Sequence, residues 1–150
     1  MPLVQVPTAA FDAEAMAMYE NGRITLCVDI KGEPVAQQRV RSRYLRSLQR
    51  IVHYDPCKAL KKAFIGAVRC ALGDIGLPGC VFPIFEDAPL KMTVTFRVGN
   101  AMKDFDNLLK FASDALQMIF YRNDRFIYKV VGEKIPVMES YSTSIKIAYA

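Results

Sequence analysis

Residues 90 to 98, Leu-Lys-Met-Thr-Val-Thr-Phe-Arg-Val, alternate apolar and polar side chains without a fault. Successive side chains of an extended chain point to opposite faces. The run is therefore a strand with Leu90, Met92, Val94, Phe96 and Val98 on one face and Lys91, Thr93, Thr95 and Arg97 on the other. A strand half-buried in this way needs neighbouring strands and a layer of structure over its apolar face. The rest of the chain has to supply both.

A second alternating run follows Asn21-Gly22: Ile24, Leu26, Val28 and Ile30 face one way, Arg23, Thr25, Cys27 and Asp29 the other. Gly32 and Pro34 end it. The cover comes from two helical patterns. Asp55-Pro56 reads as N-cap and first helical residue, and behind it Leu60, Phe64, Ala67, Val68 and Ala71 recur at three- and four-residue spacing as far as Gly73. The second helix spans about Asp106 to Phe120, with Phe105, Leu108, Leu109, Ala112, Ala115, Leu116 and Ile119 as its buried stripe. A Gly/Pro-rich connection links Gly73 to Pro89. Two strands, near Phe126 to Val131 and Tyr141 to Tyr149, are expected to pair as a hairpin around Pro136. Residues 10 to 20 read as a short helix, and the Arg-rich segment after Pro34 has no clean period. The expected fold is α/β in the α+β sense: a single domain over residues 23–150, order β-α-β-α-β-β, with two main helices packed on a mixed sheet. Residues 1–22 stand before it as an extension of unknown role.

Charge narrows the partners. The chain of 150 residues carries a net +5, yet the segment from Lys31 to Leu72 alone holds ten basic residues against Glu33 and Asp55. That segment is +8, and the remainder is −3. A basic stretch beside a faintly acidic body points to a polyanion, nucleic acid in preference to a membrane, since no amphipathic anchor or lipidation signal is present. No apolar stretch approaches the roughly 18 residues of a membrane span. Four cysteines (Cys27, Cys57, Cys70, Cys80) form no CxxC pair, and His53 is the single histidine, which argues against zinc. The thiols are expected to be reduced and mostly packed. The first 22 residues contain three acids and no base, unlike a secretory signal or transit peptide, so a cytoplasmic location is expected.

The chemistry concentrates at Lys103-Asp104-Phe105-Asp106-Asn107-Leu108-Leu109-Lys110. Two carboxylates two apart, where a strand gives way to a helix, can converge on one cation. Oxygen ligands suit Mg²⁺ or Mn²⁺. Lys110 lies one helical turn beyond Asp106, where a cation can neutralise charge building on a phosphate. Asp124 follows the helix and can join the pair if the helix packs back on the sheet. A purely structural reading of the same residues stays open: Asp106 as an N-cap, Lys110 paired at i,i+4 with Asp106 or Asp114, and Asn123-Asp124 as a polar turn.

The run from Lys103 to Lys134 resembles the core motif of the RusA family of Holliday-junction resolvases, with its D-x-D-N-x-x-K segment, a D-A-L in the same helix and an acidic pair before the next strand. Upstream, Gly32, Pro34, Arg39 and Arg41 resemble the family's G-x-P and R-x-R element, and Tyr54-Asp55-Pro56 with the basic helix behind it resembles the next block. The likeness covers about residues 23 to 149. It implies a homodimeric, Mg²⁺-dependent endonuclease, with Mn²⁺ as a substitute and no organic cofactor, that cuts four-way DNA junctions by paired nicks. Asp104, Asp106 and Asp124 would be the metal carboxylates, Lys110 the catalytic lysine, and Arg39, Arg41, Arg43, Lys58 and Lys62 the contacts to the DNA backbone. Two positions depart from the pattern. Asn123 replaces the first member of the acidic pair, and Gln37 stands where many members have a lysine before R-x-R. A branched-DNA-binding protein without nuclease activity and a nuclease for flaps or forks are the rival readings.

Overall fold

Strands β2 (Arg23–Lys31) and β5 (Leu90–Val98) form where the alternation predicts them. Leu26, Val28 and Ile30 are buried, as are all five alternating apolar residues of β5. The computed structural model describes residues 10–77 and 83–150. Its main sheet has the order β1-β2-β7-β5-β6, where β1 is Asp12–Glu20, β6 is Ile127–Pro136 and β7 is Ser142–Tyr149. The β5–β6 pair is parallel and the other three pairs are antiparallel, so the sheet is mixed. Helices α1 (Lys58–Asp74) and α2 (Phe105–Leu116) contribute Phe64, Val68 and Leu72, and Leu108, Phe111 and Leu116, to the core. Phe64 sits between Phe11 and Phe111 in two edge-to-face contacts, with ring centroids 5.4 and 5.5 Å apart.

Three elements differ from the expectation. Residues 12–20 are strand β1 and not a helix. Asn21 and Gly22 both take positive φ, 51° and 76°, the conformation of the tight turn that joins two antiparallel strands. Asn21-Gly22 is thus a hairpin signal, not a helix stop. The alanines at 13, 15 and 17 pack against the core while Glu14, Met16 and Met18 face outward. High alanine content favours a helix locally, and pairing along the whole of β2 overrides it.

The closing strands do not form a hairpin with each other. β7 lies between β2 and β5, and β6 lies beyond β5. The most apolar strand, β5, thereby gains a neighbour on each side, while β6 takes an edge and leaves most of its residues exposed. The Arg-rich segment also contains a separate two-stranded sheet, β3 (Arg41–Leu45) and β4 (Arg50–Tyr54), joined by residues 46–49. It buries almost nothing, which explains its lack of hydrophobic period.

Helix boundaries shift slightly. α1 begins at Lys58 with Cys57 as N-cap, and Leu60 is exposed, not buried. α2 begins at Phe105 and ends at Leu116, although Ile119 and Phe120 beyond it remain buried. Of the cysteines, Cys27, Cys57 and Cys70 are free thiols, Cys57 buried and Cys70 exposed. Cys80 lies outside the described residues. No helix among the described residues is long and apolar enough to cross a membrane.

Candidate active site

The end of β5 runs through Gly99–Lys103 into the first turn of α2, and this junction positions the paired carboxylates. Asp104 is the N-cap, in extended conformation (φ −70°, ψ 135°), yet its side chain makes no capping hydrogen bond. Its carboxylate is therefore not used within the helix. Asp106, placed at the N-cap by the sequence pattern, is the second helical residue, and its Oδ1 accepts the Asn107 N–H at 3.1 Å. Both aspartates are exposed, and neither forms an ion pair among the described residues. A negative charge in the first turn also interacts favourably with the helix dipole.

Both line a groove of about 960 Å³, together with Gln37, Arg39, Arg41 and Lys103. The groove thus places arginines and carboxylates side by side, which suits a phosphodiester whose phosphate meets the cations while a hard metal ion meets the oxygens. The arm that brings Arg39 and Arg41 there is tied to α2 by the Gln37 N–H, which donates to Asn107 O at 2.9 Å. Gln37 Nε2 donates to Asp55 Oδ1 at 3.0 Å, so its amide is committed within the chain. Asp55 also accepts from Lys61 and from the Cys57 N–H. The Cys57 hydrogen bond is the main reason its carboxyl is held below the usual value.

The remaining candidates fall elsewhere. Lys110 projects from α2 and pairs with Asp114 at 3.2 Å, not with Asp106. Arg43 shares a face of β3 with Arg41 but does not line the groove. Lys58 and Lys62 are exposed one turn apart on α1, also outside it. His53 pairs across the small sheet with Ser42, its Nδ1 2.7 Å from the hydroxyl oxygen.

Asp124 does not return to the end of the sheet that holds Asp104 and Asp106. The twelve residues of α2 run about 18 Å back along the sheet, at about 1.5 Å per residue. β6 then starts beside Leu90, at the opposite end of β5 from Asp104. Asp124 opens a short 3₁₀ turn there, which Asn123 caps by accepting the Arg125 N–H at 3.0 Å. Nearby, Tyr121 donates to Ser113 O at 2.6 Å. Burial, then the charges of Asp124 and Asp114, push its phenol far above the ordinary range. Among the described residues, no three of His, Cys, Asp and Glu come together in a set able to hold a metal.

Residues 79–148 match the model of a protein family described as Endodeoxyribonuclease RusA. The matched segment, 70 of the 150 residues, is RusA-like. The match contains Asp104, Asp106, Lys110 and Asp124, whereas Arg39, Arg41, Arg43, Lys58 and Lys62 lie before it. The match supports a nuclease, a hydrolase of DNA phosphodiester bonds. No curated protein matches the chain.

Sequence reasoning missed two groups of residues at this site: the Glu33–Lys103 ion pair at 3.0 Å and Lys134, whose Nζ donates to Lys103 O at 2.7 Å. One signal was available. Glu33 and Asp55 are the two acids in a stretch of ten bases, and each is an internal partner of a lysine, Lys103 and Lys61 respectively.

Proposed function

We propose that the chain resolves four-way DNA junctions as a homodimer, by paired symmetric nicks that depend on Mg²⁺ or Mn²⁺. One observation carries this reading: the RusA match spans two exposed aspartates, without an ion pair among the described residues, that share a groove with Arg39 and Arg41. Carboxylate oxygens are donors of the right hardness for Mg²⁺, and Asp104 and Asp106 would hold it from one chain. A bound divalent ion would polarise the scissile phosphate and lower the pKa of an attacking water. Arg39 and Arg41 hold the phosphates on either side, and Arg43, Lys58 and Lys62 extend the contact along the backbone. Lys110 exchanges Asp114 for the reacting phosphate. Exposed i,i+4 pairs are worth only about 0.3–0.5 kcal/mol, so that exchange is easy.

Asp124 reaches this site from the second subunit. β6 is an edge strand with Tyr128, Val130 and Val131 exposed. Antiparallel pairing of two β6 strands reverses one chain against the other, bringing the partner's Asp124 to the end of the sheet that holds Asp104. Residues opposite each other in such a pair share a face, so the twofold axis passes at a residue. At Val131 the axis sets Lys129 opposite the partner's Glu133 and Glu133 opposite the partner's Lys129. A shift to Val130 or Gly132 loses both charge pairs. Two sites related by this axis match the near-twofold symmetry of a four-way junction.

The test is an end-labelled junction with Mg²⁺, Mn²⁺ or EDTA, beside a linear duplex of the same sequence and an Asp106→Asn variant. Paired nicks on opposite strands, dependent on metal and lost in the variant, are expected. Equal cutting of the duplex would replace the substrate, and tight junction binding without cleavage in either metal would make this a binding protein.

A further inference from the structure

The five residues leading into Asp104 are held by two distant side chains, Glu33 just after β2 and Lys134 of β6. Both carboxylate oxygens of Glu33 accept the Gly99 N–H, at 3.1 and 3.0 Å, and Oε1 accepts Lys103 Nζ at 3.0 Å. Lys103 Nζ also donates to Pro34 O at 2.6 Å. From β6, Lys134 Nζ donates to two main-chain carbonyls of the loop, Ala101 O at 2.9 Å and Lys103 O at 2.7 Å.

Lys134 is the unexpected member. It stands opposite Phe96 in the β5–β6 register, on the face where Met92, Val94 and Phe96 are buried. An apolar residue is the ordinary occupant of that place. A half-buried ammonium is tolerated there because two carbonyls meet it. The second belongs to the peptide bond between Lys103 and Asp104, so the bond to Lys134 fixes the plane from which the Asp104 side chain departs.

We infer that Lys134 and Glu33 are positioning residues for the metal carboxylates: they fix the Gly99–Lys103 loop so that Asp104 and Asp106 share one cation. The inference rests on the metal-site reading given above. Residues that orient ligands in this way change metal affinity by about 10–100-fold when removed.

The experiment is a titration of the purified full-length protein with Mn²⁺ alone, read by electron paramagnetic resonance. The Mg²⁺ dependence of junction cleavage, junction binding in EDTA and thermal unfolding are measured on the same samples. Lys134→Met should raise the half-saturating concentration of both metals about tenfold or more, with junction binding in EDTA within twofold of wild type. Lys134→Arg should restore most of the metal affinity, because a guanidinium still offers donors to both carbonyls. Glu33→Gln should shift the same titration in the same direction, since the loop loses its charged acceptor. Unchanged Mn²⁺ affinity in Lys134→Met and Glu33→Gln, with cleavage falling only in step with unfolding temperature, would overturn the inference and leave the metal site standing. A wild-type protein that takes up no Mn²⁺ would remove the metal-site reading, and the inference with it.

Discussion

Phe105 sits between the two aspartates and points where they do not. Its ring packs edge-to-face on Phe96, centroids 5.7 Å apart, and lies over Gly132 of β6. A Cβ at position 132 would come within 2.5 Å of Phe105 Cζ and 3.0 Å of Val94 Cγ1. The glycine is needed for this close approach, not for an unusual backbone angle. Gly132→Ala should therefore push Phe105 off its seat and cost about 1–3 kcal/mol of stability, as overpacking does. With the ring go Asp104 and Asp106 on either side. Metal-dependent cleavage should fall at least tenfold while junction binding in EDTA survives. Unfolding curves and cleavage rates at saturating DNA check both halves, and an unchanged unfolding temperature would mean that the ring is not seated here. Phe105 was legible as a member of the apolar stripe of α2. Gly132 was not, because what it makes room for is distant in sequence.

At the scale of elements, the β3–β4 sheet puts Arg41, Arg43 and Arg50 on one face with Val52 and Tyr54, and Tyr44, Ile51, Ser42 and His53 on the other. A ribbon that buries so little of itself derives its use from what it touches. With Arg41 and Arg43 two residues apart, each can meet a phosphate. Replacing both by alanine should flatten the dependence of log binding constant on log salt by about 0.9 for each phosphate no longer neutralised, close to 2 in all. Junction binding measured across a salt series gives that slope directly, and an unaltered slope would assign these arginines to no phosphate. The basic character of this segment was plain from charge counting. Its strands were invisible to period analysis, because neither face is buried and hydrophobic period records burial. β1 failed in another way: its alternation of alanine with larger residues was present in Ala13, Ala15 and Ala17, but alanine is a poor marker of a buried face.

For the whole molecule, the distance between Asp124 and the other two carboxylates has a direct consequence in trans. If the partner completes each site, a heterodimer of Asp106→Asn and Asp124→Asn chains contains one intact site and one doubly altered site. Mixing the two inactive variants, with subunit exchange, should restore cleavage as single nicks in place of paired ones. Sites built within one chain would give no activity in the mixture at any ratio. Val131→Cys adds a geometric check, since cysteines on the twofold axis should cross-link the two subunits under oxidation, whereas Glu133→Cys should not.

By itself the sequence determined the parts that depend on near neighbours. It placed strands β2 and β5 and the faces they bury, the two helices, the basic stretch, and the D-x-D-N-x-x-K segment at a strand-to-helix junction. Each is written in a period or spacing of a few residues, and the backbone repeats at that length. Only the tertiary structure decided which strands lie side by side, and so which end of the sheet each carboxylate occupies. The parallel β5–α2–β6 crossover turns twenty residues of sequence, from Asp104 to Asp124, into the length of a helix, and it leaves β6 on an open edge. Sequence spacing says how much chain lies between two residues. The direction that chain takes across the sheet is set by the burial of β5 between two neighbours, a property no local pattern contains.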